Sequence, residues 1–355
     1  MTHVRDIPVH DPTRVRDVRV AAKDACGRAG FPPDRAAAAE LVATELATNL
    51  LKHAGGGQIL IETVDAGPGH GASEPRPALQ ITAIDHGPGI EDLPTALGDG
   101  FSTTATLGAG LGTCRRLADV FDLHSSPGRG TVALARIHAS VGNRSRTQDG
   151  SAPARVRAGG VNIPFVACHS GDAWACVRSG ERVTLLLADG LGHGPAAAEA
   201  SDAAVRHLRL NAALRPEELL AGLHGALRDT RGAAVAVAQL DLASGQLEFS
   251  GIGNVGARLR TGDDWQHLLS HPGIVGAHRP AHIPRHRLPW SPHCLLVLHS
   301  DGLPSRWSLR SDVPPALDPG VTAALIVRDA SSSARPVRDD TTVAVLSPTQ
   351  AGREP

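Results

Sequence analysis

Apolar positions along the chain fall into short runs and periodic stripes, interrupted by one long polar stretch. Val42, Leu46 and Leu50 recur every four residues in an Ala-rich segment, so a helix predicted over 35–53 has one buried stripe. Asp34 is a suitable N-cap for it, and Gly55, Gly56 and Gly57 stop it. The runs 58–64, 79–85 and 131–138 read as strands and 112–122 as a helix. Further on, 161–168, 182–189, 233–241, 246–252, 294–300 and 341–346 read as strands, with helices expected over 195–211 and 216–229. Runs of strands around a few helices predict an α+β second half. Residues 139–158 (ASVGNRSRTQDGSAPARVRA) hold few large apolar groups; ordering them would bury too little, and they read as a linker. The Gly- and Pro-rich stretch 66–77 reads as a loop and 348–355 as a loose tail. The expected division is therefore a domain over 1–138, a linker over 139–158 and a domain over 159–347.

Length agrees with two domains, since 355 residues exceed the roughly 100–200 of a usual single core. With 41% hydrophobic and 20% charged residues, a disordered or fibrous chain is excluded. Thirty-five basic against 36 acidic residues leave a net charge of −1, with no general attraction to nucleic acid or anionic membrane. No apolar run reaches the ~18–20 residues of a membrane span. The first sixteen residues mix Arg, Asp, His and Pro without the apolar stretch of a signal peptide. Five cysteines, an odd number with no Cys-x-x-Cys, argue against a disulfide framework or a zinc site. A cytoplasmic location is expected.

Glu45, Asn49 and His53 stand at i, i+4 and i+8 and share one stripe of their helix. A carboxylate and an amide one turn apart suit a general base beside a metal ligand. Asp85 ends a strand and is followed by Gly87-Pro88-Gly89. A carboxylate there can accept a hydrogen bond from an adenine amino group, while the two glycines let backbone approach the base. Gly108, Gly110 and Gly112 open a helix, where exposed N–H groups suit a phosphate chain. Each element alone is an ordinary helix face or loop; the three in this order are not.

ELATNLLKHAGGGQILIE (45–62), DHGPGI (85–90) and DGFSTTATLGAGLG (99–112) resemble the N, G1 and G2 boxes of the GHKL (Bergerat) ATPase fold, an α/β sandwich. Within it they are similar to the RsbT-like anti-sigma and switch serine/threonine kinases. The resemblance implies that Glu45 deprotonates a protein hydroxyl and Asn49 holds Mg²⁺. It also implies that Asp85 reads the adenine of ATP and that Gly108, Gly110 and Gly112 cover its phosphates. Transfer would rest on positioning and charge neutralisation around the γ-phosphoryl group. His53 reads as a structural or capping residue.

Acidic residues also mark strand ends and turns in the second half: Asp172 in HSGDAW, Asp189 in LLLADGLGHG, Asp301 in LVLHSDGL, and Asp339-Asp340 in RDDTTVAVL. Taken singly, Asp-Gly is a turn signal. Apolar runs leading into Asp189 and Asp301 bring those carboxylates to the rim of a buried sheet. Converging carboxylates repel unless protons or cations intervene, and oxygen-only ligands select Mg²⁺ or Mn²⁺. Two such ions about 3.5–4 Å apart suit in-line attack on a phosphoryl group.

The set, with GIGNVGARL (251–259) and HPGIVGA (271–277), resembles the 2C-type (PPM) protein phosphatases in their SpoIIE- and RsbX-like bacterial branch, a β-sandwich flanked by helices. That resemblance implies Asp189 bridging two metals, the Gly190 carbonyl adding a ligand, and Asp172, Asp301 and Asp339 completing the set. Asp340 would stand behind them. The arginine motif that grips phosphate in eukaryotic members is missing, which leaves the phosphate-binding group open. His193 is a candidate to protonate the leaving serine oxygen, and is alternatively a plain loop residue. His278, His282 and His286 are spaced for a helix, but Pro280 and Pro284 break one; with His271 and His293 they read as surface or substrate-loop residues.

Together the resemblances imply a bifunctional partner-switching regulator, a serine/threonine kinase and phosphatase acting on a STAS-domain protein. The alternative is a phosphatase whose nucleotide-binding half binds a STAS partner, or activates another phosphatase, with little kinase turnover.

Overall fold

The computed structural model describes residues 4–65, 77–93, 110–140, 156–165, 169–278, 283–330 and 339–349. Contacts divide the chain into two compact units between 150 and 151.

The N-terminal unit comprises β1 (Val4–Val9), α1 (Thr13–Arg28), α2 (Pro33–Asn49) with a wide π turn (Leu50–Ala54), β2 (Gly57–Asp65), β3 (Pro77–Ile84), α3 (Gly110–Leu117), β4 (Val120–Ser126) and β5 (Gly130–His138). Its strands form an antiparallel sheet in the order β1-β2-β3-β5-β4. Ile59, Ile61, Leu79, Ile81, Ala135 and Ile137 alternate along their strands and face one side. Small residues of α1 and α2 (Ala21, Ala22, Ala25, Ala43, Ala47), with Val18, Val42 and Leu46, let the helices close on that side. On the opposite pleat Glu62, Gln80 and Arg136 are register neighbours across β2, β3 and β5, and all three are buried. Gln80 Nε2 donates to Glu62 Oε1 (2.7 Å) and Arg136 Nε donates to Gln80 Oε1 (2.8 Å), forming one polar rung.

Two local expectations need correction. Helix α2 starts at Pro33, behind an extended Pro32; Asp34 lies in its first turn and is not the cap. Proline at the first position needs no N–H donor, and an acidic side chain in the first turn suits the helix dipole. Regular helix stops at Asn49, the wide turn continues to Ala54, and Gly55 ends it at φ +72°. The helix expected over 112–122 stops at Leu117, and Val120 opens strand β4 instead. Phe121 and Leu123 alternate toward the core there, a two-residue period that the longer apolar pattern concealed.

The C-terminal unit comprises β6 (Val156–Ile163), β7 (Asp172–Ser179), β8 (Arg182–Gly190), α4 (Pro195–Leu210), α5 (Pro216–Ala226), β9 (Ala233–Asp241), β10 (Gln246–Ile252), β11 (Gly256–Thr261), β12 (Asp264–Leu268), β13 (His286–Pro289), β14 (Cys294–His299), α6 (Pro319–Ala330) and β15 (Thr341–Pro348). Two antiparallel sheets, β13-β10-β9-β8-β7 and β12-β11-β14-β15-β6, stack through Leu185, Leu187 and Phe249 against Leu259, Leu296 and Leu298. The outer face of the first sheet (Leu186, Val235, Val237) packs under α4 and α5 through Leu208, Leu219 and Leu223. Helix α6 lies along β6 and β15. This is the helix-flanked β-sandwich expected of the second half.

Strand β6 begins earlier than predicted. Val156, Arg157 and Ala158, read as the end of a linker, pair with Pro348, Ser347 and Leu346. Those partners carry β15 to Pro348, into the stretch read as tail. Strand β6 also ends at Ile163, because Pro164 has no donor to continue the ladder. Among the described residues no helix is long and apolar enough to cross a membrane. Cys26, Cys114, Cys176 and Cys294 are buried.

Candidate functional site

Glu45 and Asn49 project one turn apart from the end of α2 toward the start of α3. A Cβ added at Gly110 would lie 3.1 Å from Glu45 Oε2 and 3.3 Å from Asn49 Oδ1, so the absence of a side chain keeps this approach open. Asn49 Nδ2 is buried and, among the described residues, has no hydrogen-bond partner. Asp85 follows β3 and is buried; its Oδ1 accepts the N–H groups of Gly87 (2.9 Å) and Thr131 (3.0 Å), which fix the carboxylate. Gly87 packs against Ala54, where a Cβ would fall 2.7 Å from the Ala54 Cα. Gly89, at φ +76°, abuts the Ser126 carbonyl. Gly112 is buried inside α3. His53 is exposed in the wide turn. Gly108 lies outside the described residues. Sequence reasoning missed Gly130, at φ +90° against the backbone of Asp85; its only signal was the turn sequence Pro127-Gly128-Arg129-Gly130.

In the C-terminal unit, Asp172 at the start of β7 and Asp189 at the end of β8 are direct register partners. Cross-strand partners of this kind have Cβ atoms about 4.5–5.5 Å apart. Asp172 is 1% exposed, and among the described residues both its carboxylate oxygens are buried without a well-aligned hydrogen bond, with the Ser300 and Thr342 hydroxyls nearby. Burial, then the charges of Asp189 and Asp340, raise its carboxyl well above the usual range. Asp189 is pushed up to about 7 by burial and by Asp301, Asp339 and Asp340. Asp301, at the open rim after β14, is raised by desolvation of its inward side and by Asp339; Asn254 Nδ2 donates to its Oδ2 and offsets part of this. Asn254 was not singled out from sequence, although it lies within the GIGNVGARL segment.

Asp340 has a different part. Its Oδ1 accepts the Phe165 N–H and its Oδ2 the Gly171 N–H, each at 2.7 Å, so both oxygens hold backbone. Asp339 is exposed, and its Oδ1 accepts the Asp340 N–H at 2.9 Å. Gly190 donates its N–H to Gly171 O (3.0 Å), and a Cβ on Gly190 would meet the Ala197 carbonyl at the start of α4. Gly190 thus sits where two backbones meet beside the carboxylates. His193 is exposed in the following loop, near Asp340, whose carboxyl is raised chiefly by burial. His271, His278, His286 and His293 lie in loops or at a strand start rather than on a helix; His282 lies outside the described residues.

Among the described residues no three His, Cys, Asp or Glu side chains close on one point tightly enough to hold an ion by themselves. Asp172 and Asp189 face each other, and Asp301, Asp339 and Asp340 lie close enough to raise Asp189. Mg²⁺-type ions keep several waters and take only one or two carboxylates each, so an oxygen-only set led by the unpartnered Asp172 fits hard divalent cations.

Residues 9–136 match the family model of the histidine kinase-like ATPase domain, and residues 179–348 match that of stage II sporulation protein E, SpoIIE. The serine/threonine-protein kinase RsbT of Bacillus subtilis (strain 168) is 46% identical over 92 residues, 26% of this chain. The chain spans 64% of that kinase's length. Among solved structures, RsbX in complex with magnesium is 19% identical, covering 56% of this chain and 98% of its own at a TM-score of 0.46. The PP2C phosphatase domain of Bacillus subtilis SpoIIE with a fragment of its regulatory domain is 15% identical, covering 96% and 94% at a TM-score of 0.49. Domains of the two matched types imply use of ATP and of a divalent metal. The chain thus joins a histidine kinase-like ATPase domain to a SpoIIE domain.

Proposed function

We propose that this chain is a two-headed regulator of protein phosphorylation. Its N-terminal unit transfers phosphate from ATP to a serine or threonine of a STAS-domain partner, and its C-terminal unit hydrolyses such phosphoesters. The observation that carries the second activity is the buried, unpartnered Asp172 opposite Asp189 at the rim of one sheet. Asp172, Asp189, the Gly190 carbonyl, Asp301 and Asp339 would hold two Mg²⁺ or Mn²⁺. Such a pair supplies an activated water and neutralises phosphoryl charge. His193, exposed beside Asp340, would return a proton to the departing serine Oγ.

In the N-terminal unit, Glu45 would take the proton of the attacking hydroxyl while Asn49 holds Mg²⁺ against the phosphates. Asp85, fixed by the Gly87 and Thr131 N–H groups, would accept the adenine amino group. Gly87 and Gly89 keep side chains away from the base, and the N–H groups around Gly108, Gly110 and Gly112 would meet the phosphate chain. The similarity to RsbT supports this half. The test is incubation with ATP, Mn²⁺ and a purified STAS-domain protein. Phosphate should enter the partner and be released again; absence of both rejects the reading.

A further inference from the structure

The turn that leaves β8 just after Asp189 packs against a charged group from a distant part of the chain, Arg231. Asp189 and Gly190 lie in register with Ala234 and Ala233, so the chain entering β9 runs alongside that turn. Leu191 donates its N–H to Gly232 O at 3.0 Å, which extends the pairing and sets Arg231 against Gly192. Gly192 stands at φ +84°, and a Cβ there would lie 3.0 Å from Arg231 Nη1. The backbone around Arg231 is pinned: Thr230 Oγ1 donates to Leu227 O (2.7 Å) and accepts the Gly232 N–H (3.1 Å).

The guanidinium itself is uncommitted. Arg231 is exposed and, among the described residues, has no hydrogen bond or ion pair, unlike Arg35 with Asp119 or Arg328 with Asp329. A cation held at the mouth of an acidic site, yet bonded to none of its carboxylates, is placed to receive an anion.

We infer that Arg231 grips the phosphate of the phosphomonoester substrate at the mouth of the aspartate site. This rests on the phosphatase reading above. The planar fork of arginine matches two oxygens of a phosphate dianion, whereas a lysine offers only a point charge. Glycine at 192 leaves the space the guanidinium occupies.

The experiment uses the full chain with Mn²⁺, p-nitrophenyl phosphate as substrate and inorganic phosphate as competitor, for wild type, Arg231→Ala and Arg231→Lys. A lost charged hydrogen-bond pair should raise both KM and the phosphate inhibition constant by about 10- to 100-fold in the alanine variant. The lysine variant should be intermediate, kcat should change less than KM, and the circular-dichroism melt should match wild type. Alanine-variant KM and inhibition constant equal to wild type, or a loss confined to kcat, would overturn the assignment of Arg231 alone. Absence of any Mn²⁺-dependent hydrolysis by wild type would overturn the phosphatase reading and this inference with it.

Discussion

Glu62 and Asp172 are carboxyls buried where charge is costly, one in each unit, and their surroundings treat them differently. Glu62 is 2% exposed and pushed up to about 8 by burial, against the pull of Gln80 and Arg136. Its ordinary value is 4.5, so between these values the folded chain holds a proton that the unfolded chain has released. Stability contributed at this site therefore falls as pH rises from about 4.5 to about 8, then stays level. Glu62→Gln removes the penalty and keeps a carbonyl for Gln80 Nε2. In thermal melts the variant's Tm advantage should widen between about pH 5 and about pH 8 and level off above; a constant gap would contradict the assignment. Asp172 has only the Ser300 and Thr342 hydroxyls to set against burial and the charges of Asp189 and Asp340, a placement that suits cations.

Strands and helices set these side chains in place through a few close backbone approaches. Gly190 is the tightest of them in the C-terminal unit, between Gly171 and the start of α4. Gly190→Ala drives a methyl into the Ala197 carbonyl, so the β8–α4 turn must shift. Overpacking of this kind should cost about 1–3 kcal/mol and lower Tm by several degrees. Mn²⁺-dependent hydrolysis should fall by more than the loss of folded protein explains, measured as activity per folded chain. Unchanged activity per folded chain would separate the turn from the site. Elements with a strong period were legible in the sequence: β9 and β10 have the bounds their apolar runs suggest, and α2 is where Val42, Leu46 and Leu50 place it. Others were not. The buried face of α1 is mainly alanine among scattered charges, α6 is buried on all sides and shows no stripe, and β7 is a short run whose first residue is the aspartate itself. The site followed the same pattern. Asp-Gly turns after apolar runs could be read, whereas Asn254, Gly130 and Arg231 owe their places to pairing between distant segments.

Across the whole molecule, two compact units each carry one of the gathered sets, Glu45, Asn49 and Asp85 in one and the aspartates in the other. If both act on one partner, its phosphorylation level is set by the ratio of two rates on a single chain rather than by the abundance of two proteins. Two activities on one chain require that those rates be separable by substitution. The direct measurement is mass spectrometry of a STAS-domain partner over time with ATP and Mn²⁺, for wild type, Glu45→Ala and Asp189→Asn. Wild type should reach a steady, partial phosphorylation; Glu45→Ala should leave the partner unmodified but still strip phosphate from pre-phosphorylated partner; Asp189→Asn should drive modification toward completion. Partner phosphorylation that is the same with all three proteins would contradict it.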